Sequence, residues 1–424
     1  MAPTVLIIAT SPYFPIARLS VSLASTGFRV EAVCPSSHPL TRTRAVRKTY
    51  RYRALAPLSS LTAAIRDAAP DLVIPGDESS AQNLHSLYLR ESRKGSKGAS
   101  ICSLIERSVG PAETFEVVYQ RARFMELAKA LNVPTPETAI VRDVGELREW
   151  ARNSPFPFVL KADGTSGGEG VRVVRTLAEA ERAFHILQTH PVLARAVKRT
   201  LLDHDSSLLW PSLMRRSRSV CVQAFVSGRE ATSTVACWNG SVMAALHCEV
   251  LETGYATGPA TVMRLTANPV MTATVEKLVR KLNLSGLHGF DFMVEEGTGK
   301  PYLIEINPRS TQVGHLRLGA GRDLPASLFA AVCGTPVQPA PTVTEKDIFC
   351  LFPQEWMRDP NSSFLQSGYH DVPWDEPELL RMCVERSRKQ KSAAWRMPAT
   401  SVAPSAPVKC LDRQAYSVSI PQER

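Results

Sequence analysis

The N-terminal third of the chain alternates short apolar runs with stretches of helical spacing. Val5 to Ala9 is one such run, a helical pattern follows from about Ile16 to Thr26, and Arg29 to Cys34 is a second run. A helix-like segment, Ser60 to Ala69, then leads into Asp71-Leu72-Val73-Ile74-Pro75. Strand, helix and strand in this rhythm predict parallel βαβ units. No GxGxxG follows the first run, so the usual dinucleotide-binding turn is not expected. Further on, Phe115, Val118, Ala122, Met125 and Ala128 recur every three or four residues and predict a single amphipathic helix from Phe115 to Leu131. Asn132-Val133-Pro134-Thr135-Pro136 stops it, and a motif-dense region runs on to about residue 335. The expected fold class is α/β, with a parallel α/β domain at 1–112, a second domain at 113–337, an extension at 338–391 and a tail at 392–424. Within the second domain, residues 186–219 read as a basic, Leu-rich, helical insertion. The tail, rich in Pro, Ser and Ala without apolar periodicity, is expected to be disordered.

Length and composition fit this division. A chain of 424 residues exceeds what one core usually organises. Its hydrophobic fraction of 44% and charged fraction of 21% are those of a globular protein. No apolar stretch approaches the ~18 residues of a membrane span. The apolar start lacks a basic leader segment and is read as a buried strand. Nine cysteines without CxxC pairs argue against a disulfide framework or a structural zinc site, and imply a reducing, cytoplasmic setting.

The net charge of +10 changes the picture only through its location. Residues 186–219 hold six Lys/Arg against two acids, and residues 381–424 hold nine against three, so the two segments carry the whole excess. Basic appendages on a neutral core are not a surface built to track a polyanion, and no specific nucleic-acid partner is expected. Arg42, Arg44, Arg47, Lys48, Arg51 and Arg53, interleaved with Tyr50 and Tyr52, are read as a solvated loop and edge strand. Leu208 to Arg216 in the insertion suits a contact with a membrane surface or an acidic carrier, or equally a helical lid over an active site.

Two constellations carry chemistry. Phe158-Val159-Leu160-Lys161 reads as a buried strand ending in a lysine, followed by Asp163-Gly164-Thr165-Ser166-Gly167-Gly168-Glu169-Gly170. Glycines at this density let backbone N–H groups approach anionic oxygens while Lys161 adds a point charge, so a phosphate cover is expected; a glycine-rich hairpin without ligand is the plain alternative. Gly289-Phe290-Asp291-Phe292-Met293-Val294 and Tyr302-Leu303-Ile304-Glu305-Ile306-Asn307 each embed a carboxylate in an apolar strand. Glu305 and Asn307 share one face by strand alternation, and a hairpin through Glu296-Gly297-Thr298-Gly299 would bring Asp291 to Glu305. Burying both acids calls either for a divalent cation, with Asp, Glu and Asn oxygens fitting magnesium, or for arginine partners such as Arg309.

On these residues the chain resembles the ATP-grasp ligases: an alternating α/β domain, a helix ending in Val-Pro-Thr-Pro, a strand lysine with a glycine loop, a hinge, then carboxylate strands ending in Glu-Ile-Asn-Pro-Arg. The resemblance spans roughly residues 4–335. It implies a parallel pre-ATP-grasp domain followed by a two-lobed grasp domain. Lys161 would hold ATP phosphates under the loop that includes Gly167, Gly168 and Gly170. The hinge Gln223, Ala224, Phe225 and Val226 would read the adenine edge, and Glu230 the ribose hydroxyls. Asp291, Glu305 and Asn307 would hold magnesium, or manganese, as two ions. Arg121 stands where many members carry a lysine. D-alanyl ligases place an arginine two residues before the aspartate, where this chain has Gly289, so Arg309 becomes the candidate for stabilising the reacting centre, beside the plainer role of partner to Glu305.

The implied reaction activates a carboxylate as an acyl-phosphate with ATP and joins it to an amine. Lys161 and Arg309 would be the catalytic side chains. The implied partners are small acids and amines, an amino acid or peptide among them, with a homodimer left open. A non-catalytic ATP-binding regulator is the alternative, made thinkable by Arg121, and a nucleic-acid-binding protein comes third. Three further readings stay open. Tyr255 and Arg264 are candidates to meet the acid or are ordinary loop and surface residues. His315 is a lone histidine, either a base or a hydrogen-bonded core residue. Asp77 and Glu78 sit where open α/β sheets receive ligands, or cap a helix.

Overall fold

A computed structural model describes residues 2–165, 168, 170–189, 219–255, 258–338 and 340–396, with side chains described to residue 386. The expected roles of Gly167, of most of the insertion at 186–219 and of the tail from 397 onward lie outside the described residues.

The first sheet is parallel, in the order β3-β2-β1-β4, from strands β1 (Thr4–Ile8), β2 (Arg29–Cys34), β3 (Val46–Arg51) and β4 (Leu72–Pro75). β1 and β4 are almost wholly buried, because Val, Leu and Ile cover both faces and helices pack on each. α1 (Phe14–Ser25) lies on one face; α2 (Pro57–Ala68), α3 (Glu78–Ser92) and α4 (Ala99–Val109) lie on the other. The basic segment around Arg47 and Lys48 forms the exposed edge strand β3.

Asp77 anchors the join between β4 and α3. Its carboxylate accepts from Ser80 N in a capping box, and also from the backbone N–H groups of Thr10 and Ser11 at 2.6 and 3.0 Å. Both readings of this position thus divide, with Asp77 the cap and Glu78 free to face elsewhere. Asp77→Ala is expected to cost about 2–4 kcal/mol, from the lost cap and the orphaned buried donors, measured as a shift in urea-unfolding midpoint.

The helix expected over Phe115–Leu131 is two helices, α5 (Phe115–Tyr119) and α6 (Arg121–Ala130). Gln120 between them is extended, with φ −96° and ψ 104°. The apolar spacing continues across the break, so the pattern alone conceals it. The break makes Arg121 the first residue of a new helix and turns it towards the neighbouring sheets.

A small antiparallel sheet, order β5-β8-β6-β7, contains β5 (Thr138–Val141), β6 (Phe158–Ala162), β7 (Val171–Val174) and β8 (Val220–Ala224). It is backed by α7 (Val144–Asn153) and α8 (Leu177–Gln188) around Phe158, Leu160 and Phe184. The large sheet runs β13-β12-β9-β10-β11-β14-β15. Its strands are β9 (Gly228–Trp238), β10 (Ser241–Thr253), β11 (Ala260–Leu265), β12 (Gly286–Glu295), β13 (Pro301–Asn307), β14 (Ile348–Leu351) and β15 (Tyr369–Asp371). α6 and α9 (Pro269–Leu282) cover one face through Phe124, Met271, Leu278 and Phe290. The other face shares a core with α1 and α10 (Leu324–Cys333), in which Val5, Leu19, Leu246, Leu328 and Phe349 meet. The fold is thus α/β as expected.

The C-terminal helix Pro377–Arg396 runs past residue 391 into the segment expected to lack structure. Lys391, Ala393, Ala394 and Arg396 are good helix formers, and that local preference outweighs the absence of an apolar stripe. Among the described residues no helix is long and apolar enough to cross a membrane.

Candidate functional site

The two carboxylate strands pair as a hairpin, and Asp291 stands directly opposite Glu305, with a bulge just beyond at Phe292. Asn307 is opposite Gly289 and donates its side-chain N–H to Asp291 Oδ2 at 2.7 Å. Thr232, facing Asp291 from β9, is a second hydrogen-bond partner of that carboxylate. Burial pushes the Asp291 carboxyl up, and the like charge of Glu305 adds to it. Glu305 goes the other way. Burial opposes its ionisation, but Arg121, Lys161 and Arg309 outweigh burial and hold it below the usual carboxylate range.

These residues form part of the wall of a cleft of about 550 Å³ between the small and large sheets. Lys161 and Val171 line it from the small sheet and Gly168 from the loop between them, and Gln223, Ala224, Phe225 and Val226 line it as well. Glu230, Asp291, Glu305, Asn307 and Arg309 come from the large sheet and the turn after it. Lys161 is buried and reaches across to the backbone oxygen of Ile304 at 3.3 Å, and burial depresses its ammonium. A Cβ on Gly170 would lie 1.9 Å from Thr165 Oγ1, so a larger residue there would displace the Thr165 side chain; Gly168 has φ +78°, a conformation that favours glycine.

Arg121 spans the two sheets. Its Nε donates to Glu305 Oε2 at 3.2 Å, Nη1 to the Ala162 oxygen at 2.5 Å and Nη2 to the Thr165 oxygen at 3.1 Å, with Asp163 3.6 Å away. Arg309 is turned to Asn307 Oδ1 at 3.2 Å and the Ser310 oxygen at 3.1 Å, and its guanidinium lies 5.9 Å from the Tyr13 ring centre. The plain alternative for Arg309, a direct ion pair with Glu305, is therefore taken by Arg121 instead.

The glycine at 289 has a steric cause. A Cβ there would stand 2.3 Å from Thr311 Cγ2, so a long side chain has no room, and Thr311 itself bonds Thr234. Gly289→Ala is expected to destabilise by about 1–3 kcal/mol through forced displacement of Thr311, read from thermal or urea unfolding.

Two of the open candidates leave the site. Arg264, on β11 between β10 and β14, faces Asp347 at 3.8 Å and is not among the residues of the cleft wall. His315 is buried and hydrogen-bonds Asp371 at 2.7 Å, and Asp371 also accepts from Arg18 at 2.6 Å. That trio ties α1 to β15, so His315 is a hydrogen-bonded core residue. Tyr255 is exposed on the loop after β10.

Sequence reading missed Tyr13, Thr232 and Gln312, all on the cleft wall. Tyr13 lies in the loop after β1, at the carboxyl end of a parallel sheet where ligands commonly enter, and that position was the available signal. Burial raises its phenol to about 12 against the pull of Arg309. Glu78 feels the same group of charges: burial raises its carboxyl, while Arg309 and Arg121 draw it down.

Two sheets clasping a cleft, with a glycine-loop lysine on one side and paired carboxylates on the other, define an ATP-grasp architecture. Residues 120–316 match the family described as the carbamoyl-phosphate synthase L chain, ATP binding domain, and this segment belongs to the ATP-grasp superfamily. Among solved structures, the fold resembles the biotin carboxylase domain dimer of Hydrogenobacter thermophilus 2-oxoglutarate carboxylase in complex with MgADP, ADP and bicarbonate, with TM-score 0.56 and 17% identity over 80% of this chain and 71% of that one. It also resembles N5-carboxyaminoimidazole synthetase from Staphylococcus aureus complexed with ADP, with TM-score 0.55 and 16% identity over 80% and 79% of the two chains. The carbamoyl phosphate synthase large chain of Archaeoglobus fulgidus is 27% identical over 208 residues, 47% of this chain but only 17% of that protein.

Proposed function

We propose that this protein is an ATP-dependent ligase that activates a carboxylate as an acyl-phosphate and joins it to an amine, releasing ADP and phosphate. The observation that carries this reading is the cross-strand pair of Asp291 and Glu305, with Asn307 beside it, set in the wall of a cleft that Lys161 also lines. Two carboxylates and an amide suit a hard divalent cation that takes its remaining ligands from water and phosphate. Among the described residues no cluster of three His, Cys, Asp or Glu side chains forms a self-sufficient metal cage. The crowding of Asp291 by Glu305 supports the fit, because a cation would compensate the pair directly.

In this reading Asp291, Glu305 and Asn307 hold magnesium or manganese, as two ions. The metal, when bound, neutralises charge on the transferring phosphoryl group. Lys161 and Arg121 supply positive charge beside the phosphates, and Gly168 and Gly170 allow the loop backbone to approach them. Gln223, Ala224, Phe225 and Val226 present the adenine-binding edge, and Glu230 accepts from the ribose hydroxyls. A carboxylate oxygen of the acid attacks the γ-phosphorus and ADP leaves; the amine nitrogen then attacks the acyl carbon and phosphate leaves. Arg309 stabilises the negative charge at that carbon's oxygens, with Tyr13 holding the guanidinium in place. Such catalysis is mostly positioning and charge neutralisation, so no covalent nucleophile is required. Release of ADP only when both an acid and an amine are supplied is the expected result. ADP release indifferent to both would count against ligation.

A pH dependence follows from Glu230. The walls of the cleft raise its carboxyl to about 6, with the charge of Asp291 adding to the effect, although the side chain reaches solvent. Ribose hydroxyls donate to the ionised form, so nucleotide affinity should rise with pH through about 6 and level off above. Isothermal titration with ADP across pH 5 to 8 should lose this step in Glu230→Gln.

A further inference from the structure

We propose that Arg121 is the resident counter-ion of Glu305, and that nucleotide phosphates must draw it away before a divalent cation can use that carboxylate. The inference rests on the metal reading given above. It assigns an order to the site: nucleotide first, metal with it or after it.

Three observations lead there. Among the described residues Arg121 is the cation within ion-pair distance of Glu305, with its Nε 3.2 Å from Oε2. The other cations of the cleft are engaged elsewhere, since Lys161 donates to the Ile304 oxygen, and Arg309 to Asn307 and the Ser310 oxygen. The same guanidinium holds the oxygens of Ala162 and Thr165, which frame the base of the glycine loop. A planar fork can hold all three partners at once, whereas the ammonium of a lysine is a single point charge on a flexible stem. Arg121 is set for this by the break at Gln120, which starts α6 at the residue itself.

A guanidinium and a divalent cation cannot both sit on Glu305 Oε2 without strong like-charge repulsion. Incoming phosphates offer Arg121 a more negative partner, and as it swings to them it frees Glu305 and releases the loop base together.

The test is Mn2+ binding to the full chain, read from the free-ion electron paramagnetic resonance signal, without nucleotide. Arg121→Met should bind Mn2+ at least about 10-fold more tightly than the parent protein, with Arg121→Lys between them. Adding Glu305→Gln to Arg121→Met should cancel the gain. Arg121→Lys keeps the charge, so it remains informative if the methionine variant folds poorly. Equal nucleotide-free affinity in the parent protein and both variants would overturn the inference, as would a gain that survives Glu305→Gln. Mn2+ binding to the ADP complex that disappears in Glu305→Gln would leave the metal reading standing in that event. Absence of Mn2+ binding in the ADP complex would remove the metal reading and the inference together.

Discussion

Glu305→Gln should lower metal- and ATP-dependent turnover by at least about 100-fold while leaving the fold intact. The side chains are isosteric, so the strand pairing of β12 and β13 and the packing of Leu303 and Ile306 persist. What changes is charge. Glutamine removes one of the two carboxylates opposed across the hairpin and leaves Arg121 with its two carbonyl partners and Asp163. Asp291 loses the like charge that pushes it up, so it ionises more readily in the variant, but a single carboxylate is a poor divalent site. Steady-state kinetics beside thermal unfolding separates the outcomes. Unchanged turnover would remove the metal assignment, and loss of the folded state would show that Glu305 serves structure.

Arg309→Lys should reduce kcat by about 100- to 1,000-fold with nucleotide affinity altered by less than about 10-fold. The charge is retained, so the effect isolates geometry. Arg309 follows the turn after Asn307 and uses separate nitrogens for Asn307 Oδ1 and the Ser310 oxygen, with the Tyr13 ring beside it. Lysine cannot reproduce that fork, and its hydrated ammonium would sit poorly in a site enclosed by Tyr13 and Thr311. The nucleotide contacts proposed for Gln223 to Val226 lie on the small-sheet side of the cleft and should be indifferent to the change. A fall in ADP affinity equal to the fall in kcat would move Arg309 from the reacting centre to nucleotide binding.

The hairpin that opposes Asp291 and Glu305 was legible in the sequence, because strand alternation and a Gly-rich connection specify it locally. That the first sheet is parallel was legible for the same reason, as apolar runs and helical spacing alternate within short distances. The break at Gln120 was not. Phe115, Val118, Ala122 and Met125 keep a helical interval across it, and only tertiary packing against both sheets decides that the chain turns there. Tyr13 and Glu78 face Arg309 from the first domain, and a meeting across some 230 to 300 residues of chain has no local signature. Asp77 and Glu78 illustrate the boundary well. Adjacent in sequence and alike in chemistry, they take separate tasks because one points back at Thr10 and Ser11 and the other towards the cleft charges. His315 shows the converse: a lone histidine beside a signature segment is claimed by Asp371, which the sequence places 56 residues away.

The central claim is that this cleft joins a carboxylate to an amine at the expense of ATP. It is tested most directly by incubating the full chain with ATP, magnesium and pooled carboxylic acids and amines, and reading the products by mass spectrometry. A new mass equal to one acid plus one amine less water, formed in step with equal amounts of ADP and phosphate, is the expected result. Nucleotide that binds but yields neither ADP nor a condensed product with any pool would contradict it and favour a nucleotide-binding regulator.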